Sequence, residues 1–193
     1  INSLAFASDG RLFATQVFLG DALHEIDPTG EKPARKIMEG MGGLNGFQFG
    51  PDGKIYGPIW FGQKAARVDV DKATIETVAE GFTVPAAANF GPDGALYVLD
   101  TVEGDVVRVD TATGTKRVVA TLHSGLDNLD FDANGNLFVT AMAEAAVFQV
   151  DVSTGSSRTI TESPVVMPTD LAYHDGRLYV DDLFSVRAID PKT

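Results

Sequence analysis

From Leu44 to Tyr56 the chain reads Leu-Asn-Gly-Phe-Gln-Phe-Gly-Pro-Asp-Gly-Lys-Ile-Tyr. Apolar positions at Leu44, Phe47 and Phe49 lead into a polar turn, and Ile55-Tyr56 leads back, a pattern that predicts two short strands around Pro51-Asp52-Gly53. Pro presets φ for the first central turn position, Asp bonds its own backbone, and Gly accepts positive φ. The unit recurs. Asp9-Gly10, Asp52-Gly53, Asp93-Gly94, Asn134-Gly135 and Asp175-Gly176 each stand between a strand-like run and an apolar pair. Those pairs are Leu12-Phe13, Ile55-Tyr56, Leu96-Tyr97, Leu137-Phe138 and Leu178-Tyr179. The turn glycines are 43, 41, 41 and 41 residues apart, a near-constant period that marks a repeat architecture.

Each copy carries four strand candidates. In the third they are Ala88 to Gly91, Ala95 to Asp100, Asp105 to Asp110 and Lys116 to Thr121, and no segment has a helical apolar period of useful length. Four short antiparallel strands per repeat predict an all-β fold, a β-propeller of four-stranded antiparallel blades. The repeats run approximately 1–41, 42–84, 85–125, 126–166 and 167–193, in a single propeller domain or part of one. The fifth copy (Asp170 to Tyr173, Arg177 to Asp182, Ser185 to Asp190) stops at Thr193 without an outermost strand, and the first begins directly at an inner strand. The expectation is therefore an unclosed arc belonging to a longer chain of six or seven blades. Its exposed edge would pair with a further segment of chain or with another subunit.

Composition narrows the function. With 15 Lys and Arg against 27 Asp and Glu, the net charge is −12, which speaks against nucleic acid and anionic membranes as partners and suits a protein that gathers cations. Apolar blocks are never long enough to cross a membrane. Cysteine is absent, which removes disulfides, thiolate metal sites and a cysteine nucleophile, and is compatible with cytoplasm or periplasm alike.

In a propeller the residue that opens each inner strand points toward the central channel. Aligning the copies on their turns, with one deletion in the fifth, puts Asn2, Asn45, Ala86, Asp127 and Thr169 there, with Asp127 the only carboxylate of the set. Oxygen-bearing side chains converging on an axis suit a hard cation such as Ca²⁺. The competing reading is that they satisfy backbone groups where strands begin. The loops from second to third strands face the same end and carry Phe18, Trp60, Phe61, Asp100, Glu103, Met142, Glu144, Asp182 and Phe184. Trp60 and Phe61 would wall a pocket for a ring-shaped small molecule, or pack between blades. His123 leads directly into Asp127 and could serve as base or relay, or be a solvated loop residue. No Gly-x-Ser-x-Gly elbow, His-Glu-x-x-His motif or phosphate loop is present.

Asn45-Gly46-Phe47-Gln48-Phe49-Gly50-Pro51-Asp52-Gly53 resembles the Asn-Gly-x-x-[aromatic]-x-Pro-Asp-Gly motif of the gluconolactonase/regucalcin family. Asp127-Asn128-Leu129-Asp130-Phe131-Asp132-Ala133-Asn134-Gly135-Asn136-Leu137 is similar to its Asp-Gly-x-x-x-Asp-x-x-Gly-x-Leu motif, with Asn128 where Gly is usual. The resemblance implies a divalent metal on the axis, Ca²⁺ first with Zn²⁺ or Mg²⁺ as alternatives. It implies Asn45 and Asp127 as ligands, Asn2 as a third, and Asp127 as the residue serving lactone hydrolysis. The family's N-terminal Glu ligand has no counterpart, since Glu39-Gly40 is followed by Met41. The expected activity is metal-dependent opening of a lactone or related ester. The alternatives are a non-catalytic binding scaffold and a streptogramin-lyase-like enzyme.

Overall fold

The computed structural model describes residues 1–161 and 165–192; the end of the fourth predicted repeat (162–164) and Thr193, which closes the fifth, lie outside the described residues. Blade 1 consists of β1 (Ser3–Phe6), β2 (Leu12–Gln16), β3 (Ala22–Ile26) and β4 (Arg35–Glu39). Blade 2 is β5 (Gln48–Phe49), β6 (Ile55–Ile59), β7 (Lys64–Asp69) and β8 (Thr74–Glu80). Blade 3 is β9 (Pro85–Phe90), β10 (Leu96–Asp100), β11 (Asp105–Val109) and β12 (Lys116–Thr121). In blade 4 are β13 (Leu126–Phe131), β14 (Leu137–Ala141), β15 (Ala146–Val150) and β16 (Ser157–Thr159). Blade 5 has three strands, β17 (Pro168–His174), β18 (Arg177–Asp182) and β19 (Ser185–Ile189). Every sheet is an antiparallel meander in sequence order, so the fold is the β-propeller that the pattern predicts. Among the described residues the sole helical piece is one 3₁₀ turn, Trp60–Gly62.

The repeated turn has a repeated chemistry. Gly10, Gly53, Gly94 and Gly135 all have positive φ, and each donates its N–H to the carbonyl three residues earlier. The turn carboxylates accept from the backbone two residues on, as Asp9 does from Arg11 and Asp52 from Lys54. The buried phenols Tyr56 and Tyr97 reach back to Asp52 and Asp93 at 3.1 and 3.2 Å. The fifth hairpin differs. His174 pairs with Arg177 around Asp175 (φ 47°) and Gly176 (φ 81°), a two-residue turn with both central residues left-handed. That shorter turn is the physical origin of the deletion in the fifth copy.

The core sits between blades. One aromatic on the second strand of each blade meets one on the inner strand of the next. The pairs are Phe13 with Phe49 at 5.6 Å, Tyr56 with Phe90 at 4.9 Å, Tyr97 with Phe131 at 5.0 Å and Phe138 with Tyr173 at 6.1 Å. Four buried apolar clusters follow the same order, joining blades 1 and 2, 2 and 3, 3 and 4, and 4 and 5. Among the described residues no such cluster joins blade 5 to blade 1. The equivalent aromatics on those outer faces, Phe6 and Tyr179, are 59% and 38% exposed.

Candidate active site

A cavity of ≈ 390 Å³ lies where the inner strands of all five blades begin. All five aligned axial residues, Asn2, Asn45, Ala86, Asp127 and Thr169, line it. Backbone irregularity at this end presents them. The pairing of β13 with β14 slips between Leu126 and Leu129, and that of β17 with β18 slips between Pro168 and Asp170. Such bulges re-aim side chains at strand ends. In blade 2, Gly46 leaves the ladder, donating no side chain where Ala87 presses in; a Cβ there would come within 2.4 Å of the Ala87 Cβ. The Gly46 carbonyl instead accepts from Ala88 N–H at 2.7 Å, which shortens the inner strand to Gln48–Phe49. Asn128 replaces that glycine in blade 4. Its Nδ2 donates to Asp170 on blade 5 and its Oδ1 accepts from Leu129 N–H, so the departure from the family motif builds a polar link between blades.

Trp60 and Phe18 form the apolar wall, packed edge to face at 5.8 Å and 78°, and Met142 joins them. Phe61 does not line the cavity. It packs on Phe18 at 6.0 Å and is 63% exposed. Asp100 is also outside the lining. Its buried carboxylate accepts from Thr83 N–H at 2.6 Å and Val84 N–H at 2.9 Å, holding the loop that leads into β9. His123 faces solvent, its Nδ1 2.8 Å from Glu144 Oε1, and none of the three histidines lines the cavity.

Asp127 is not the lone carboxylate that the alignment indicated. Asp170 and Asp181, cross-strand partners on β17 and β18, line the same cavity. Alternation along β18 puts Leu178, Val180 and Asp182 inward, so Asp181 reads as a solvent-facing residue from sequence. Asp170 was hidden because strict alternation lets only one of two successive residues face the axis, whereas the bulge lets both Thr169 and Asp170 line the cavity. Burial pushes the Asp127 carboxyl up to about 7, and the charge of Asp170 adds to the effect. Asp170 keeps solvent contact, yet the enclosing walls raise its carboxyl to about 6, with Asp181 and Asp130 adding repulsion and Leu171 N–H and Asn128 opposing it.

Among the described residues no donor bonds Asp127, a deficit that a cation would relieve. Asn2 and Asn45 supply amide oxygens from blades 1 and 2, with Asn2 Nδ2 donating to Asn45 Oδ1, while Ala86 supplies nothing. Among the described residues no three His, Cys, Asp or Glu side chains are grouped to hold a metal. The oxygens of Asn2, Asn45 and Asp127 are of the donor type that a hard cation takes.

A family model for the SMP-30/gluconolactonase/LRE-like region matches residues 58–182. Among solved structures, virginiamycin B lyase from Staphylococcus aureus is 17% identical with a TM-score of 0.73 over 93% of this chain. The chain spans 62% of that lyase's length. A histidine-to-alanine variant of the S. aureus lyase is catalytically inactive. A gluconolactonase from Xanthomonas campestris is 20% identical, with a TM-score of 0.75 over 94% of this chain and 68% of its own. The nidogen/laminin complex contains a match of TM-score 0.82 at 12% identity, over 94% of this chain and 74% of that one. These likenesses show the fold. No curated protein matches the chain in sequence.

Proposed function

The chain belongs to the SMP-30/gluconolactonase/LRE-like family, and from that premise we propose that it is a hydrolase that opens lactones in the axial cavity. One observation carries the reading: Asp127 lines the cavity with no hydrogen-bond donor among the described residues, its carboxyl raised to about 7 by burial. A carboxylate in that range is matched to proton transfer near neutrality. Asp127 takes a proton from water as the water oxygen bonds to the lactone carbonyl carbon. When the ring C–O bond breaks, Asp127 returns that proton to the departing alkoxide. Trp60 and Phe18 hold the ring against the apolar wall and exclude bulk water. A divalent cation, Ca²⁺ by its oxygen donors, would be held by Asn2, Asn45 and Asp127, and when bound would polarise the carbonyl.

The lyase alternative has fold similarity behind it; among the described residues no histidine side chain lines the cavity. The test measures hydrolysis of simple γ- and δ-lactones with and without added Ca²⁺, for wild type and Asp127→Asn. Loss of about 10²–10⁴-fold in kcat is expected for the variant, with the wild-type rate falling as pH drops below about 7. A wild type that opens no lactone under either condition overturns the reading and leaves a binding scaffold.

A further inference from the structure

The lining of the cavity is chemically lopsided. Three carboxylates, Asp127, Asp170 and Asp181, share it with neutral amides and hydroxyls, and among the described residues no Lys, Arg or His side chain lines it to balance them. Opposite in character stands the Trp60–Phe18 pair with the thioether of Met142. Neither half alone selects a ligand. A carboxylate cluster is often only a solvated patch, and an aromatic wall accepts any flat apolar group. Together in one cavity they suit one class of molecule. An organic ammonium ion finds counter-charge on the Asp170–Asp181 side and an electron-rich ring face on the Trp60 side.

From this pairing we propose that the cavity selects ligands bearing a positively charged amine beside an apolar ring, with Asp170 and Asp181 as the specificity residues. The inference rests on the lactonase reading only in using the same cavity, and it deepens that reading by naming the substrate class: a lactone or ester that carries an ammonium group. Asp170 and Asp181 lie on one blade as cross-strand neighbours, so a single amine can be met by both. The Asn128 amide fixes one oxygen of Asp170 and leaves the other for a ligand. An anionic sugar acid would meet three carboxylates and, among the described residues, no Lys, Arg or His side chain, the repulsive half of specificity.

The chain has one tryptophan, so intrinsic fluorescence reports on Trp60 directly. Wild-type protein at pH 8 in EDTA would be titrated with phenethylamine, neutral phenethyl alcohol and anionic phenylacetate. We expect phenethylamine to bind at least about tenfold more tightly than the alcohol, a difference of about 1.4 kcal/mol, and phenylacetate more weakly still. In Asp170→Asn/Asp181→Asn that preference should collapse, while alcohol binding stays unchanged. Asp181→Asn alone should lose part of it, which guards against a double variant that misfolds. Glu31→Gln/Glu80→Gln removes the same charge from exposed sites and should keep the preference. Equal binding of amine and alcohol, or an unchanged preference in the double variant, overturns the proposal. Lactone hydrolysis measured on the same samples separates the two readings. A protein that prefers the amine but opens no lactone overturns the lactonase and keeps this inference; one that opens neutral lactones without that preference does the reverse.

Discussion

Strand β13 carries two aspartates three residues apart whose fates differ. Asp130, next to the strand's last residue, accepts from three directions: its Oδ1 from Asn89 Nδ2 of blade 3 at 2.7 Å and from Phe131 N–H at 2.8 Å, its Oδ2 from Tyr173 N–H of blade 5 at 2.7 Å. Asp127, at the open end, accepts from nothing among the described residues, and its nearest electrostatic company is another carboxylate. Burial raises both, but at Asp130 the donors oppose it. The same side chain is thus a staple across three blades at one end of the strand and a proton acceptor at the other. Chemical poise comes from withholding hydrogen bonds, not from residue type.

The largest effect should come from removing the staple. Asp130→Ala strands the Asn89 amide and the Tyr173 N–H together, and unsatisfied donors of this kind sum to about 3 kcal/mol. Thermal unfolding should show a melting temperature lower by roughly 6–12 °C, at about 2–4 °C per kcal/mol for this chain length. If Asp130→Ala melts with wild type, the hydrogen bonds across the blades are ornamental and the contrast with Asp127 fails. A smaller loss, about 1–2 kcal/mol, is expected for Asn89→Ala, which removes one donor and leaves the two backbone bonds. It should also push the Asp130 carboxyl further up, toward the condition of Asp127; carbon-detected NMR titration of the side chain would read that directly. A carboxyl that moves down instead would mean that Asn89 is not a net stabiliser of the charge.

The legibility of the molecule follows the same division. The blades could be read because their determinants are local. An Asp-Gly turn needs a left-handed glycine wherever it occurs, and the aromatic after it is buried at every interface with a following blade. Strands predicted at Arg177 to Asp182 and Lys116 to Thr121 stand at those residues. The axial set was also readable, since the period carries Asn2, Asn45, Ala86, Asp127 and Thr169 to one cavity. What escaped depended on register. A bulge between Pro168 and Asp170 lets two successive residues of β17, Thr169 and Asp170, line the cavity where strict alternation would admit one. Asp100, His123 and Phe61 lie outside the cavity lining for a related reason: loop position says which end of the blade a residue occupies, but not whether a backbone N–H, a Glu144 carboxylate or the Phe18 ring has already engaged it.

The smallest effect is the most discriminating, because it has the opposite sign. In the unfolded chain Asp127 ionises near pH 4, whereas in the fold it does so near about 7. Between those values the folded state binds the extra proton, so this group's contribution to stability is full below pH 4 and is lost as pH rises through 7. Asp127→Asn removes the charge without changing shape and so removes that loss. In EDTA at pH 8 the variant should melt higher than wild type by about 2–4 °C, the shift that roughly 1 kcal/mol produces at this length. The gap should close as pH falls toward 4, where wild-type Asp127 is neutral as well. Added Ca²⁺ should narrow it at pH 8 by stabilising the wild-type carboxylate and not the amide. A variant that is less stable than wild type at pH 8, with the deficit shrinking in acid, would show that Asp127 is held by favourable contacts as Asp130 is. The proton acceptor would then have to be sought in Asp170. A gain that appears at pH 8 and vanishes in acid is the mark of a side chain kept at a cost to the fold, as residues retained for chemistry are.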